Sequence, residues 1–186
     1  MQLPDESSVL HRASRRVWSI IHHRMSVKIG AAILTASDSR TEADDVSGDE
    51  LVRLLTEAGA EIVERGIVSD DLSILREALY TLTERPDINL ILTTGGTGFA
   101  PRDNTPEATR AVIDREAPGI AEAMRRETAS KTPMAVLSRG IAGIRNRTLI
   151  VNLPGAPKGV TECFEVIRPV LHHAIDQICG DTLHQK

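Results

Sequence analysis

Continuous apolar runs alternate along this chain with segments whose apolar residues recur at helical spacing. Residues 27–35, 61–68, 89–93, 134–137 and 148–153 are the apolar or β-branched runs, and each is expected to form a strand. Between the first two, Leu51, Leu54, Leu55 and Ala58 fall on one helical face, behind a capping box at Ser47-Gly48-Asp49-Glu50 and ahead of Gly59. Leu72, Leu75, Leu79 and Leu82 line a second helix, capped by the short oxygens of Ser69-Asp70-Asp71 and closed by Pro86. Thr105-Pro106-Glu107 opens a third, and Pro118-Gly119 ends it and starts a fourth that runs toward Ser130. Val160, Phe164, Ile167, Leu171, Ile175 and Ile178 trace the inner face of a long last helix that reaches Gly180, with Pro169 inside it as a kink. Strands without internal polar alternation, separated by covering helices, predict an α/β fold: three layers around a mostly parallel sheet.

Composition narrows the class. At 186 residues, with 41% hydrophobic and 26% charged, the chain suits one compact domain. No apolar run nears the roughly 20 residues of a spanning helix, so no membrane partner is expected. Lys and Arg number 22 against 26 Asp and Glu, the wrong sign for a phosphate-backbone binder, and aromatics at 2% are too few for a base-stacking platform. Nucleic acid is therefore not an expected partner. Cys163 and Cys179 stand on one helix, roughly 24 Å apart at 1.5 Å per residue, and cannot bridge each other. With no apolar signal segment at the start, a reduced cytoplasmic setting is the expectation.

Residues 1–26 differ from the rest. Arg12, Arg15, Arg16 and Arg24, three histidines and the single Trp18 make them a basic extension, read as partly mobile leader sequence with Met25 as a natural start. An arm that docks on a partner or a neighbouring subunit is the rival reading. The single domain is expected over 27–181, followed by a short tail over 182–186.

Five polar or glycine-rich segments each follow an expected strand: Ser37-Asp38, Ser69-Asp70-Asp71, Thr94-Gly95-Gly96-Thr97-Gly98, Ser138-Arg139 and Asn152-Leu153-Pro154-Gly155. In an open parallel sheet such ends share one rim, where ligands bind. The glycine loop can present successive N–H groups to an anion. It is neither a P-loop, since Phe99 follows Gly98, nor a dinucleotide fingerprint, since Pro101 stands where a third glycine is required. Arg102, Asp103 and Asn104 follow in a stretch stiffened by Pro101 and Pro106. Asp70 and Asp103, on two rim loops, are placed to hold Mg²⁺ on substrate phosphates; helix capping is the plainer reading of each, and a tight turn that of the glycines.

The glycine loop, the run Pro101-Arg102-Asp103-Asn104-Thr105-Pro106-Glu107-Ala108-Thr109, Leu137-Ser138-Arg139 and the turn Asn152-Leu153-Pro154-Gly155-Ala156-Pro157 together resemble the molybdenum-cofactor biosynthesis proteins of the MoaB/Mog type, which are related to the G domains of gephyrin and its plant counterpart. The resemblance spans about residues 27–181. It implies the three-layer α/β fold, assembly as trimers or as hexamers of two trimers, contact with other cofactor-biosynthesis proteins, and transfer of AMP from Mg-ATP to molybdopterin. Asp70 and Asp103 match the two catalytic aspartates, and Thr94, Gly95, Gly96, Thr97 and Gly98 the phosphate and pterin loop. Ser138, Arg139, Asn152, Pro154 and Gly155 match the walls of the molybdopterin pocket; Ser37 and Asp38 match the first loop, and Arg102 or Arg139 would add positive charge. Residues 40–59 resemble the MoaB branch, while the 152–157 turn and the last helix resemble the Mog branch. The subtype stays open, and with it an alternative in which the chain is a non-catalytic molybdopterin-binding or scaffold paralogue.

Overall fold

The computed structural model describes residues 27–180, so the expectations for residues 1–26 and 181–186 lie outside the described residues. In chain order the elements are β1 (Gly30–Ala36), α1 (Val46–Glu57), β2 (Glu61–Val68), α2 (Leu72–Thr83), β3 (Leu90–Thr94), α3 (Thr105–Arg110), β4 (Arg115–Glu116), α4 (Pro118–Ala129), β5 (Ala142–Arg145), β6 (Thr148–Leu153) and α5 (Pro157–Cys179). They build one six-stranded sheet in the order β2-β1-β3-β6-β5-β4. The four strands from β2 to β6 are parallel; β5 runs antiparallel to β6, and β4 antiparallel to β5. None of the helices among the described residues is long and apolar enough to cross a membrane.

Helices cover both faces, which is why the central strands β1, β3 and β6 are buried at every position and mostly apolar. Ala31 and Ile33 of β1, Leu90 and Leu92 of β3 and Leu149, Val151 and Leu153 of β6 face a core completed by Leu51 and Leu55 of α1, Met124 of α4 and Phe164, Ile167 and Leu171 of α5. The alternate residues Ala32, Leu34, Ile91 and Ile150 face Leu75 and Leu79 of α2 and Ala108 of α3. The last helix continues through Pro169 as expected.

Three expectations need correction. Residues 134–137 are not a strand; they lie in a 3₁₀ turn, Pro133–Leu137, with Met134 63% and Val136 64% exposed. Pro133 has no N–H for a ladder, and the Thr132 hydroxyl caps the amide of Met134, so the segment satisfies itself locally. The strand that fills this place is β5, four residues long with a glycine at its second position, which hides it in sequence. The third helix ends at Arg110, well before Pro118, because Asp114 N donates to Ile144 O at 2.8 Å and draws the chain into the sheet edge as β4. The cap of α1 is Asp45, which accepts from Gly48 N, rather than Ser47.

Glu50 ties α1 to α5. Its carboxylate accepts from Arg53 at 2.7 and 3.0 Å and from Thr161 Oγ1 at 2.6 Å, and these donors, Arg53 foremost, pull its pKa down to about 2. A lowered pKa adds stability that is complete above the ordinary glutamate range and lost as pH falls toward about 2. Glu50→Gln is expected to cost about 1 kcal/mol at pH 7, solvent screening included, and nothing near pH 2. Melting curves of both proteins across that range measure it; parallel curves would contradict it.

Candidate active site

The carboxyl ends of the parallel strands and the amino end of β5 open on one rim. That reversal explains how Ser138 and Arg139 reach the site without following a strand: in an antiparallel strand, the leading end lies where its neighbours finish. The loops after β1 and β2 lock reciprocally. Asp38 N donates to Asp70 Oδ2 at 3.1 Å, while Asp70 N and Ser69 Oγ donate to Asp38 Oδ1 at 3.1 and 2.7 Å. Ser69 first, then Arg102, holds the Asp38 carboxyl below its usual range. Arg102 Nε donates to Asp38 Oδ2 at 2.9 Å, and Asn104 Nδ2 to Asp70 O at 2.9 Å, which lays the 102–104 stretch against the Asp70 loop.

The glycine loop leaves the buried end of β3, where Thr94 Oγ1 donates to Pro154 O at 2.8 Å. Gly95 and Gly96 take positive φ, +93° and +61°. A Cβ on Gly95 would lie 2.4 Å from Ala36 O, and one on Gly96 2.4 Å from Thr105 Oγ1 and 3.1 Å from Asp70 Oδ1. Both positions therefore need glycine for conformation and for space. A Cβ on Gly98 would stand 2.9 Å from Asp103 Oδ2, which accepts from Ala100 N at 2.7 Å. The Asp70 and Asp103 carboxylates thus border the same three-residue turn.

Electrostatics agree with that placement. Burial first, then the charge of Asp38, raises the Asp70 pKa, and Asp103 adds to the rise. Arg102 is spent on Asp38 and Arg139 on Glu107, so among the described residues neither Asp70 nor Asp103 enters an ion pair. Nor do the described residues contain a group of three or more His, Cys, Asp or Glu able to hold a metal by themselves. The set fits Mg²⁺, which takes one or two carboxylates and completes its shell with water and substrate phosphate. The crowded carboxylate charge is what such a cation would neutralise.

Beside the turn lies a cavity of about 650 Å³. Gly96, Thr97, Gly98 and Asp103 line it, as do Ser138, Asn152, Pro154 and Gly155. The Asn152 side chain is fully engaged, donating to Thr93 and Thr109 hydroxyls at 3.0 and 2.9 Å and accepting from Ile141 N at 3.2 Å, so it pins the wall. Ser37 and Asp38 line a separate, more open hollow with Arg40 and Ser69. Thr94, Gly95, Arg102 and Arg139 lie outside the cavity lining, as does Asp70.

The wall also holds residues that sequence reasoning missed. Arg125 of α4 donates to Gly140 O at 2.8 Å and Ser138 O at 3.3 Å, and Lys158 reaches the cavity from the first turn of α5. Lys158 had a signal, because a cation in a helix's first turn opposes the macrodipole. Arg125 had none, being one of two adjacent arginines on a half-exposed helix.

Comparison with known proteins adds the following. Residues 32–173 match the family model described as "Probable molybdopterin binding domain". The molybdopterin adenylyltransferase of Helicobacter pylori (strain J99) is 39% identical over 159 residues, covering 83% of this chain and 90% of that protein. The molybdenum cofactor synthesis protein cinnamon of Drosophila melanogaster is 43% identical over 153 residues, which are 81% of this chain but only 26% of that longer protein. Among solved structures, the molybdopterin biosynthesis enzyme MoaB of Thermus thermophilus superposes with a TM-score of 0.76 at 45% identity, covering 82% of this chain and 98% of that one.

Proposed function

Since the chain belongs to the molybdopterin-binding domain family of molybdenum cofactor biosynthesis, we propose that it is a molybdopterin adenylyltransferase that moves AMP from Mg-ATP to the terminal phosphate of molybdopterin. A phosphate oxygen of molybdopterin forms a bond to the α-phosphorus of ATP, the bond from that phosphorus to the bridging oxygen of the β-phosphate breaks, and pyrophosphate leaves. The observation that carries this reading is the pair of carboxylates, Asp70 and Asp103, in no ion pair among the described residues and bordering a glycine turn at the edge of a cavity of about 650 Å³.

No protein nucleophile is required, so the residues position and neutralise. The turn at residues 96–98 offers backbone donors to phosphate, and Asp70 and Asp103 supply the oxygens for the metal. When bound there, Mg²⁺ contributes neutralisation of phosphate charge. The apolar wall from Met124 and Met134 suits the flat body of a pterin. The reading brings with it a cytoplasmic setting and assembly into trimers or paired trimers, which light scattering of the full chain and of one beginning at Met25 would measure.

Incubation with molybdopterin, ATP and Mg²⁺ tests the proposal: AMP should appear on the pterin with one pyrophosphate per transfer, and neither without the metal. Tight pterin binding without AMP transfer would replace it with the scaffold reading. ATP turnover in the absence of pterin would replace it with a nucleotide hydrolase.

A further inference from the structure

We infer that Arg139 is a positioning residue that clasps the glycine turn to the Asp103 loop, rather than a cation that touches substrate. The inference rests on the adenylyltransferase reading and assigns the site its internal fastening. Arg139 lies outside the cavity lining, and its donors are turned to protein acceptors. Nε donates to Gly98 O at 2.6 Å, Nη2 to Asp103 O, and Nη1 to the carboxylate of Glu107 on α3, while the backbone N donates to Thr97 O at 2.9 Å.

Those acceptors close a small circuit. Gly98 and Asp103 bound a tight exposed loop, cross-tied internally by Asp103 N to Ala100 O at 2.9 Å and by Ala100 N to Asp103 Oδ2 at 2.7 Å. One guanidinium grips the loop where it leaves the glycines and again where it delivers the carboxylate. Glu107 anchors the guanidinium to a helix, and its other oxygen is buried with no hydrogen-bond partner among the described residues, so that carboxylate's fixed relation here is to Arg139. Three acceptors in three directions require a planar fork. Lysine carries its donors on a single atom and cannot span them.

The distance between the Asp103 carboxylate and the phosphate-binding amides is therefore set by Arg139. Arg139→Lys is expected to lower kcat about 10- to 100-fold, the usual effect of removing a residue that orients a ligand, with KM for molybdopterin and for ATP within about twofold of wild type. Exchange of the backbone amides at residues 99–104, followed by mass spectrometry on the protein without substrates, should accelerate in Arg139→Lys while the sheet core keeps its protection. Glu107→Gln should accelerate the same amides to a lesser degree.

Unchanged exchange at 99–104 in Arg139→Lys would overturn the inference. So would a defect confined to KM, which would make Arg139 a substrate contact. If the wild-type protein transfers no AMP yet Arg139→Lys loosens the loop, the clasp stands and the adenylyltransferase reading falls. Should Arg139→Lys fail to fold, Glu107→Gln carries the same exchange test.

Discussion

Replacing Asp103 with asparagine is expected to lower AMP transfer about a thousandfold, roughly 4 kcal/mol of barrier, with the fold retained. Asparagine keeps a carbonyl to accept from Ala100 N, so the loop persists and the loss reports the missing charge. Asp70→Asn should fall as far, and it adds a second reading. Burial, with Asp38 and then Asp103, raises the Asp70 pKa, so the ionised form is disfavoured in the folded protein. A raised pKa stabilises below the unfolded value and loses that contribution as pH rises through the folded one. At neutral pH the Asp70 charge is thus a cost, and Asp70→Asn should melt slightly above wild type as activity disappears. Near-normal turnover in either variant would remove the assignment; a lower melting temperature for Asp70→Asn would contradict the electrostatics.

The largest effect on stability is expected at Asp45. Its side chain is fully buried, yet it accepts from Thr35 Oγ1 at 2.9 Å, caps α1 through Gly48 N at 3.0 Å, and pairs with Arg65 of β2 at 3.1 Å. Asp45→Ala strands these donors and removes a helix cap. Breaking a buried pair costs about 3–5 kcal/mol, and because Arg65 keeps 28% exposure and can rehydrate, about 3 kcal/mol is expected. For a chain of this size that lowers Tm by roughly 6–12 °C. Asp45→Asn, which retains an acceptor for Gly48 N, should lose about half as much. A shift within about 2 °C for Asp45→Ala would show that the carboxylate holds little.

The three central strands β1, β3 and β6 were legible because burial on both faces writes a largely apolar run, as in Leu90-Ile91-Leu92. The edge was not, since β4 is two exposed residues and β5 carries Gly143 in its four-residue span. Asp70 and Asp103 stood out as candidates because one follows an apolar run and the other follows the glycine loop, each a pattern in one dimension. Asp45 was hidden in an acidic stretch: its side-chain partners, Thr35 and Arg65, stand on β1 and β2. Arg139 was visible as a residue but not in its role, because its partners are mainly backbone carbonyls, which leave no signature in a sequence. The cap of α1 was read at Ser47, and Asp45 was missed because the apolar periodicity that follows does not say which short oxygen before it caps the helix.

The reversed edge of the sheet also separates two properties that evolution can then change independently. The glycines and Asp103 hang from β3 in the middle of the sheet and Asp70 from β2 at one edge, whereas the stretch around Met134 leads into the short strand β5 near the opposite edge and packs against α4. Swapping or lengthening residues 130–137 can redraw what the cavity admits while leaving the reacting groups in register, so a relative with altered ligand preference needs no new chemistry.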